Sequence, residues 1–253
     1  MIHFVGAGCG AKDLITVRGM RLIEEAELII YAGSLVNTEL LSYNRKNAAV
    51  YNSAEMTLDE VMDIMIPAAK EGSQIVRLHS GDPSLYGAIG EQMRLLDKEG
   101  IAYDVCPGVT AAFGAAAALK REFTLPSVTQ TLIFTRAKGR TEVPDRESIE
   151  KLSAHQSTMA VYLSASLAGE LMEELIKGGY PKDTPVAICY KVSWPDEKLI
   201  ECRLDELGDK VSENGLYMTA LFLIGRALKE TDFNDSRLYA PDFSTGFRKA
   251  QDK

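Results

Sequence analysis

Short apolar runs alternate with amphipathic stretches through the first half of the chain. Residues 2–5, 28–31, 48–51, 74–78 and 102–105 are short, β-leaning and bounded by Gly, Ser or Asn, which predicts strands. Between them lie helical patterns. Thr16 reads as the N-cap of a helix running to about Ala26, and Thr57-Leu58-Asp59-Glu60 reads as a capping box. Behind that box Val61, Ile64, Met65 and Ala68 form one apolar face at helical spacing, which reads as core. A third helical pattern covers 86–99 and stops at Gly100, and an alanine-rich helix covers 111–119. Strand followed by helix, repeated, predicts a parallel sheet with helices on its faces.

Lys120 to Ser127 breaks this rhythm and marks a domain boundary. The second half predicts strands at 129–135, 158–163, 185–192, 198–203 and 218–225, with helices near 146–153, 166–178 and 204–213. Two of the β runs flank Trp194-Pro195-Asp196-Glu197, a spacing that suits a hairpin. The expected organisation is α/β with two domains, 1–120 mostly parallel and 127–229 mixed, followed by a polar tail over 230–253.

Composition narrows the function classes. With 46% hydrophobic and 25% charged residues, the 253-residue chain builds ordinary cores rather than disorder. A net charge of -8 argues against non-specific binding to nucleic acid or to an anionic membrane. No apolar run approaches a membrane span, and Ile2-His3-Phe4-Val5 reads as a core strand rather than a leader. Cys9, Cys106, Cys189 and Cys202 are widely spaced, which suggests a reducing cytoplasm. His3, His79 and His155 lack ligand spacing, so no metal site is expected.

Chemistry concentrates in the loops after the strands. Gly6-Ala7-Gly8-Cys9-Gly10 with Ala11 satisfies a loose dinucleotide fingerprint, but Lys12 to Ile15 delay the helix that should hold a pyrophosphate. His79-Ser80-Gly81-Asp82-Pro83-Ser84-Leu85-Tyr86-Gly87 turns from strand to helix, with Gly81 admitting close approach and Asp82 as its only carboxylate. Cys106-Pro107-Gly108-Val109-Thr110 makes a third such turn. Each could be an ordinary connection, yet in open parallel sheets ligands sit outside the carboxyl ends of strands. Arg136, Lys138 and Arg140 share one loop that reads as a solvated surface or as a carboxylate-binding patch. His79 reads as a partner for a neighbouring loop or for a ligand, and Trp194 as a packing or interface residue.

Taken in order, Gly6-Ala7-Gly8-x-Gly10, Asp13-Leu14-Ile15-Thr16-Val17-Arg18-Gly19, Ser80-Gly81-Asp82-Pro83 and Pro107-Gly108-Val109-Thr110 resemble the S-adenosylmethionine-dependent tetrapyrrole methylases. The similarity covers roughly residues 2–228. Tyr31 to Val36, Thr129-Gln130-Thr131, Thr135 to Thr141 and Ser193 to Glu197 narrow it to the branch acting at ring carbon eleven in cobalamin biosynthesis. The resemblance implies a homodimer of two-domain subunits, S-adenosylmethionine as cofactor in a cleft between the domains, and a tetrapyrrole substrate. Cofactor contacts are implied at Cys9, Ser80, Gly81, Asp82, Leu85, Thr110, Ala111, Leu163 and Ala220. Substrate contacts are expected at Gly8, Ser34, Tyr86, Arg136, Lys138 and Arg140, with Arg18, Arg77 and Lys191 as further candidates.

Two departures stand out: Cys9 replaces the family's usual proline, and Ala32 replaces the aspartate of uroporphyrinogen-type relatives. No acid–base residue is carried over. Rival expectations are a same-fold methylase acting on uroporphyrinogen, diphthamide or RNA ribose, a nicotinamide-dependent oxidoreductase, and a non-catalytic nucleotide-binding module.

Overall fold

The computed structural model describes residues 1–251, the side chain of Ser34 excepted. Contacts divide the chain into two compact units: Met1–Ala118 with Lys191–Lys198, and Leu119–Tyr190 with Leu199 onward. The 191–198 stretch, read above within the second half, therefore packs with the first.

The first unit carries β1 (Ile2–Gly6), β2 (Leu28–Tyr31), β3 (Ala49–Asn52), β4 (Ile75–His79) and β5 (Tyr103–Cys106). All pairs are parallel, in the order β3-β2-β4-β1-β5. Central β1 and β4 are buried along their whole length, which is why they read as mostly apolar runs broken only by His3, Arg77 and His79, whereas edge strand β3 is exposed. Helices α1 (Val17–Glu25), α2 (Leu58–Lys70), α3 (Ile89–Lys98) and α4 (Ala111–Leu119) complete this half. Ile23 of α1 packs with Val5, Ile29, Val76 and Leu78. On the other face of the sheet Val61 and Met65 of α2 and Leu96 of α3 pack with Phe4, Ile30 and Ile75. Each such fully buried side chain stabilises the fold by about 1.5–3 kcal/mol.

The caps anticipated from sequence form. Thr16 Oγ1 accepts from the Gly19 amide at 3.0 Å, and Thr57 and Glu60 complete a reciprocal capping box at 3.3 and 2.7 Å. The third helix starts later than its pattern. Tyr86 and Ala88 are left-handed (φ 57° and 51°), and a Cβ on Gly87 would collide with the Pro83 carbonyl, so α3 opens only at Ile89.

The second unit holds β6 (Leu132–Arg136), β7 (Thr158–Tyr162), β8 (Pro185–Tyr190), β9 (Lys198–Arg203) and β10 (Ala220–Ile224), in the order β6-β7-β10-β8-β9. Strands β6 and β7 are parallel, and β10 runs antiparallel to β7 and β8. The long connection from β6 to β7 supplies α5 (Ile149–Ser153), which is shorter than expected; α6 (Ala168–Lys177) and α7 (Leu207–Asn214) each begin behind a 3-10 turn. Ile149, Leu171, Leu175, Leu207 and Val211 of these helices pack against Met159, Val161, Phe222 and Ile224. Among the described residues no helix is long and apolar enough to cross a membrane, and no group of three or more His, Cys, Asp or Glu could hold a metal ion.

Candidate active site

Neighbouring strands β1 and β4 send their chains to opposite faces of the first sheet, β1 toward α1 and β4 toward α3. Such a switch point opens a crevice at the carboxyl ends of the strands. Here the backbones themselves meet across it. Gly8 and Gly81 form an isolated antiparallel bridge, with amide-to-carbonyl distances of 3.3 and 2.8 Å, and the Ala7 amide donates to the His79 carbonyl at 2.7 Å. A Cβ on Gly6 would lie 2.6 Å from Gly108, and one on Gly108 would collide with the Gly81 carbonyl. The glycines are therefore required by one another, three loops packing main chain to main chain.

Asp82 ties two of these loops together. One carboxylate oxygen accepts from the Ser84 amide at 2.8 Å and the other from the Gly108 amide at 2.9 Å. Around it Ser80 and Leu85 are half-buried, Thr110 is buried with its carbonyl accepting from Phe113 and Gly114, and Ala111 opens α4. Gly81 has φ 60°, and a Cβ there would sit in ordinary packing contact with Thr110 and the Ala111 amide, at 3.5 to 3.9 Å, so its backbone conformation rather than crowding calls for glycine.

The glycine loop is braced by the 191–198 connection. Ser193 Oγ accepts from the Ala11 amide at 2.9 Å and lies 3.4 Å from Cys9 Sγ, while Glu197 accepts from the Ser193 amide at 2.6 Å. A Cβ on Gly10 would collide with the Trp194 indole, so this tryptophan packs on the loop. Cys9 Sγ lies 2.6 Å from where a Gly114 Cβ would be, so the thiol occupies space that glycine leaves in α4. The sequence reading missed this bracing; its only local signal was the segment Ser193 to Glu197 itself. Because α1 begins at Val17, beyond a separate 3-10 turn at Lys12–Leu14, the glycine loop does not run directly into its own helix N-terminus as a dinucleotide fingerprint requires.

The remaining expected site residues scatter. Gly8 has φ 82° within the bridge, and Tyr86 is exposed beside the Gly81 turn. The side chain of Ser34 lies outside the described residues; its backbone belongs to a 3-10 turn at Gly33–Leu35. His79 forms no hydrogen bond to a neighbouring loop through Nε2, which is enclosed and unpartnered, and burial together with Arg77 pushes its pKa down to about 3.

In the second unit Leu163 is exposed at φ 52° just after β7, and buried Ala220 opens β10 opposite Tyr190. Arg136 turns its guanidinium onto the carbonyls of Thr141 and Glu142 at 3.2 and 2.7 Å. Lys138 pairs with Glu142 at 2.8 Å, and exposed Arg140 lies beyond them. Two of the three basic residues are thus engaged within their own loop. Lys191 likewise pairs with Asp196 at 2.6 Å.

A parallel sheet with interlocked glycine loops at its switch point, together with a mixed five-stranded sheet, is the construction of a known class of methylating enzymes. Over residues 1–208 the chain matches the family described as Tetrapyrrole (Corrin/Porphyrin) Methylases; it belongs to that family and is a methyltransferase. Individual relatives extend the match to full length. The chain is 49% identical over 252 residues to the cobalt-precorrin-4 C(11)-methyltransferase of Methanocaldococcus jannaschii, covering 100% of this chain and 97% of the other. It is 42% identical to the precorrin-4 C(11)-methyltransferase of Pseudomonas aeruginosa, covering 99% of each. The X-ray structure of a cobalt precorrin-4 methyltransferase superposes with a TM-score of 0.88 at 44% identity, covering 90% of this chain and 96% of that one.

Proposed function

We propose that the chain is an S-adenosylmethionine-dependent C-methyltransferase acting on carbon 11 of precorrin-4 or cobalt-precorrin-4 in cobalamin biosynthesis. The observation that carries this reading is full-length similarity, at 49% and 42% identity, to proteins bearing that activity in their names. The interlocked loops of the first unit suit the cofactor: left-handed Gly81 turns the chain beside buried Thr110, and Asp82 holds the surrounding backbone. When bound, the cofactor supplies an electrophilic methyl group on a sulfonium, whose thioether leaves without protonation.

The work left to the protein is alignment, worth about 7–11 kcal/mol where two reactants are held in line. Ser80, Gly81, Asp82, Leu85, Thr110 and Ala111 would hold the cofactor through backbone groups and shape, with Cys9 bracing the loop beside them. Leu163 and Ala220 of the second unit keep a proposed contact role on family resemblance. A reduced tetrapyrrole has enamine-like ring carbons, so no side chain has to abstract a proton before the methyl moves. For its acid arms, Gly8, Ser34, Tyr86 and the 136–140 loop remain the proposed contacts. Within that loop Arg140 offers the donor, while Arg136 shapes the turn and Lys138 would exchange Glu142 for the ligand. A homodimer in the cytoplasm completes the proposal, supported by the resemblance and by four cysteines that form no disulfide.

The test is incubation with methyl-labelled cofactor and a pathway-generated tetrapyrrole pool. Label on carbon 11 is the expected result; label elsewhere on the ring, or none, overturns the reading.

A further inference from the structure

Beneath the loop that follows β4 lies a cavity of about 320 Å3, bordered by Ala32, Ser53, Arg77, His79, Tyr86 and Gln92. At about 30 Å3 per water it has room for about ten. Arg77 and His79 stand two apart on β4 and so share one face of the sheet. Both are buried, at 6% and 3% exposure.

Neither has a charged or complete partner. Arg77 bonds only neutral acceptors, Gln92 Oε1 at 3.2 Å and the Ile30 carbonyl at 3.1 Å. These use two of the five N–H donors a guanidinium carries. Among the described residues no carboxylate pairs with it. Burial lowers its pKa only to about 10, so it stays cationic at neutral pH. His79 Nε2 is enclosed and unpartnered. A buried cation without a counter-ion is costly, and a buried polar atom without a partner adds to that.

The uncapped start of α3 reinforces the sign of the site. Ala88 and Gln92 at the start of α3 border the same cavity. Ala88 gives α3 no side-chain cap, so its first amides keep their partial positive charge. Glu91 is the one carboxylate on the rim and is exposed, so solvent screens it more than the buried arginine.

We propose that this cavity is a carboxylate subsite in which Arg77 and His79 receive an acid arm of the tetrapyrrole. The inference rests on the function proposed above and adds to it a place where the macrocycle is gripped. A planar carboxylate matches the guanidinium fork, and the neutral imidazole beside it becomes a further donor once the acid arm displaces the packing that encloses Nε2.

The probes are uroporphyrin, an octacarboxylate, and its octamethyl ester, with S-adenosylhomocysteine as control. Fluorescence titration of wild type, R77Q and H79F gives the affinities, and thermal melting checks each variant. Uroporphyrin affinity is expected to fall at least tenfold in R77Q and about threefold or more in H79F. The ester should bind all three proteins equally weakly, and the control equally well. Should R77Q fail to fold, H79F, which keeps the volume, carries the test. Equal uroporphyrin affinity in wild type and the folded variants overturns the subsite, and a wild type that still methylates tetrapyrrole then leaves the proposed function standing. A wild type that neither binds nor methylates any tetrapyrrole overturns both.

Discussion

Asp82 accepts the Gly108 amide at 2.9 Å, so the loop after β4 holds the loop after β5 through one carboxylate oxygen. The other oxygen accepts from Ser84 and shapes the turn on its own side. Together with the Gly8–Gly81 bridge, this makes the three loops at the switch point one mechanical body.

Removing that carboxylate should therefore act on stability and on binding at once. Each charge-assisted bond contributes about 1.5–3 kcal/mol, and D82A loses two while leaving the amides unpaired. Urea unfolding is expected to show a loss of about 3 kcal/mol, and calorimetric titration with S-adenosylhomocysteine at least a tenfold weaker affinity. D82N keeps one acceptor oxygen and should fall between. A D82A protein that binds the cofactor product as tightly as wild type would end the assignment.

Cys9 and Gly114 form a second couple. Alanine at 114 would place its Cβ 2.6 Å from the thiol sulfur and 3.0 Å from Val192 Cγ1. Overpacking of this kind destabilises by about 1–3 kcal/mol. C9A removes the sulfur, so the double variant should recover part of the loss, with a coupling energy of about 0.5–3 kcal/mol. Strict additivity in urea unfolding would show that the sulfur does not fill the space glycine leaves.

What was legible in the sequence follows from how local each cause is. Strands β1, β2 and β4 announced themselves because a parallel strand buried on both faces is mostly apolar, the exceptions being His3 in β1 and Arg77 and His79 in β4. The glycine loops were visible as loops, but their reason is contact between Gly6, Gly81 and Gly108, far apart in the chain. The start of α3 was misplaced because helical periodicity does not register left-handed Tyr86 and Ala88. Arg136 looked like a free cation in composition, yet its guanidinium closes its own loop. His79 looked like a hydrogen-bonded neighbour of the turn, and only the packing around it shows an enclosed nitrogen.

Trp194, the single tryptophan, packs on Gly10 and so reports on the glycine loop without labelling. Titration with S-adenosylhomocysteine is expected to give a saturable change in its emission, at the affinity calorimetry measures. W194F should lose the optical signal and retain binding within about threefold. Indole emission that stays flat while calorimetry records binding would place the ligand away from this loop.

His79 makes the folded state sensitive to acid, with a sign that burial fixes. Its pKa is about 3 in the folded protein, against about 6.5 when unfolded. Above about pH 6.5 both states carry a neutral ring and the residue adds no pH dependence. As pH falls from about 6.5 toward 3, the unfolded chain takes up a proton that the folded chain refuses, so stability declines by up to about 1.4 kcal/mol per unit. Arg77 and Glu91 border the same cavity, and both are retained in H79F. Between pH 7 and pH 5 wild type is therefore expected to lose about 2 kcal/mol more than H79F in urea unfolding. Parallel curves for the two proteins would mean that the imidazole takes up its proton in the folded state and is not held in the low-dielectric pocket the structure describes.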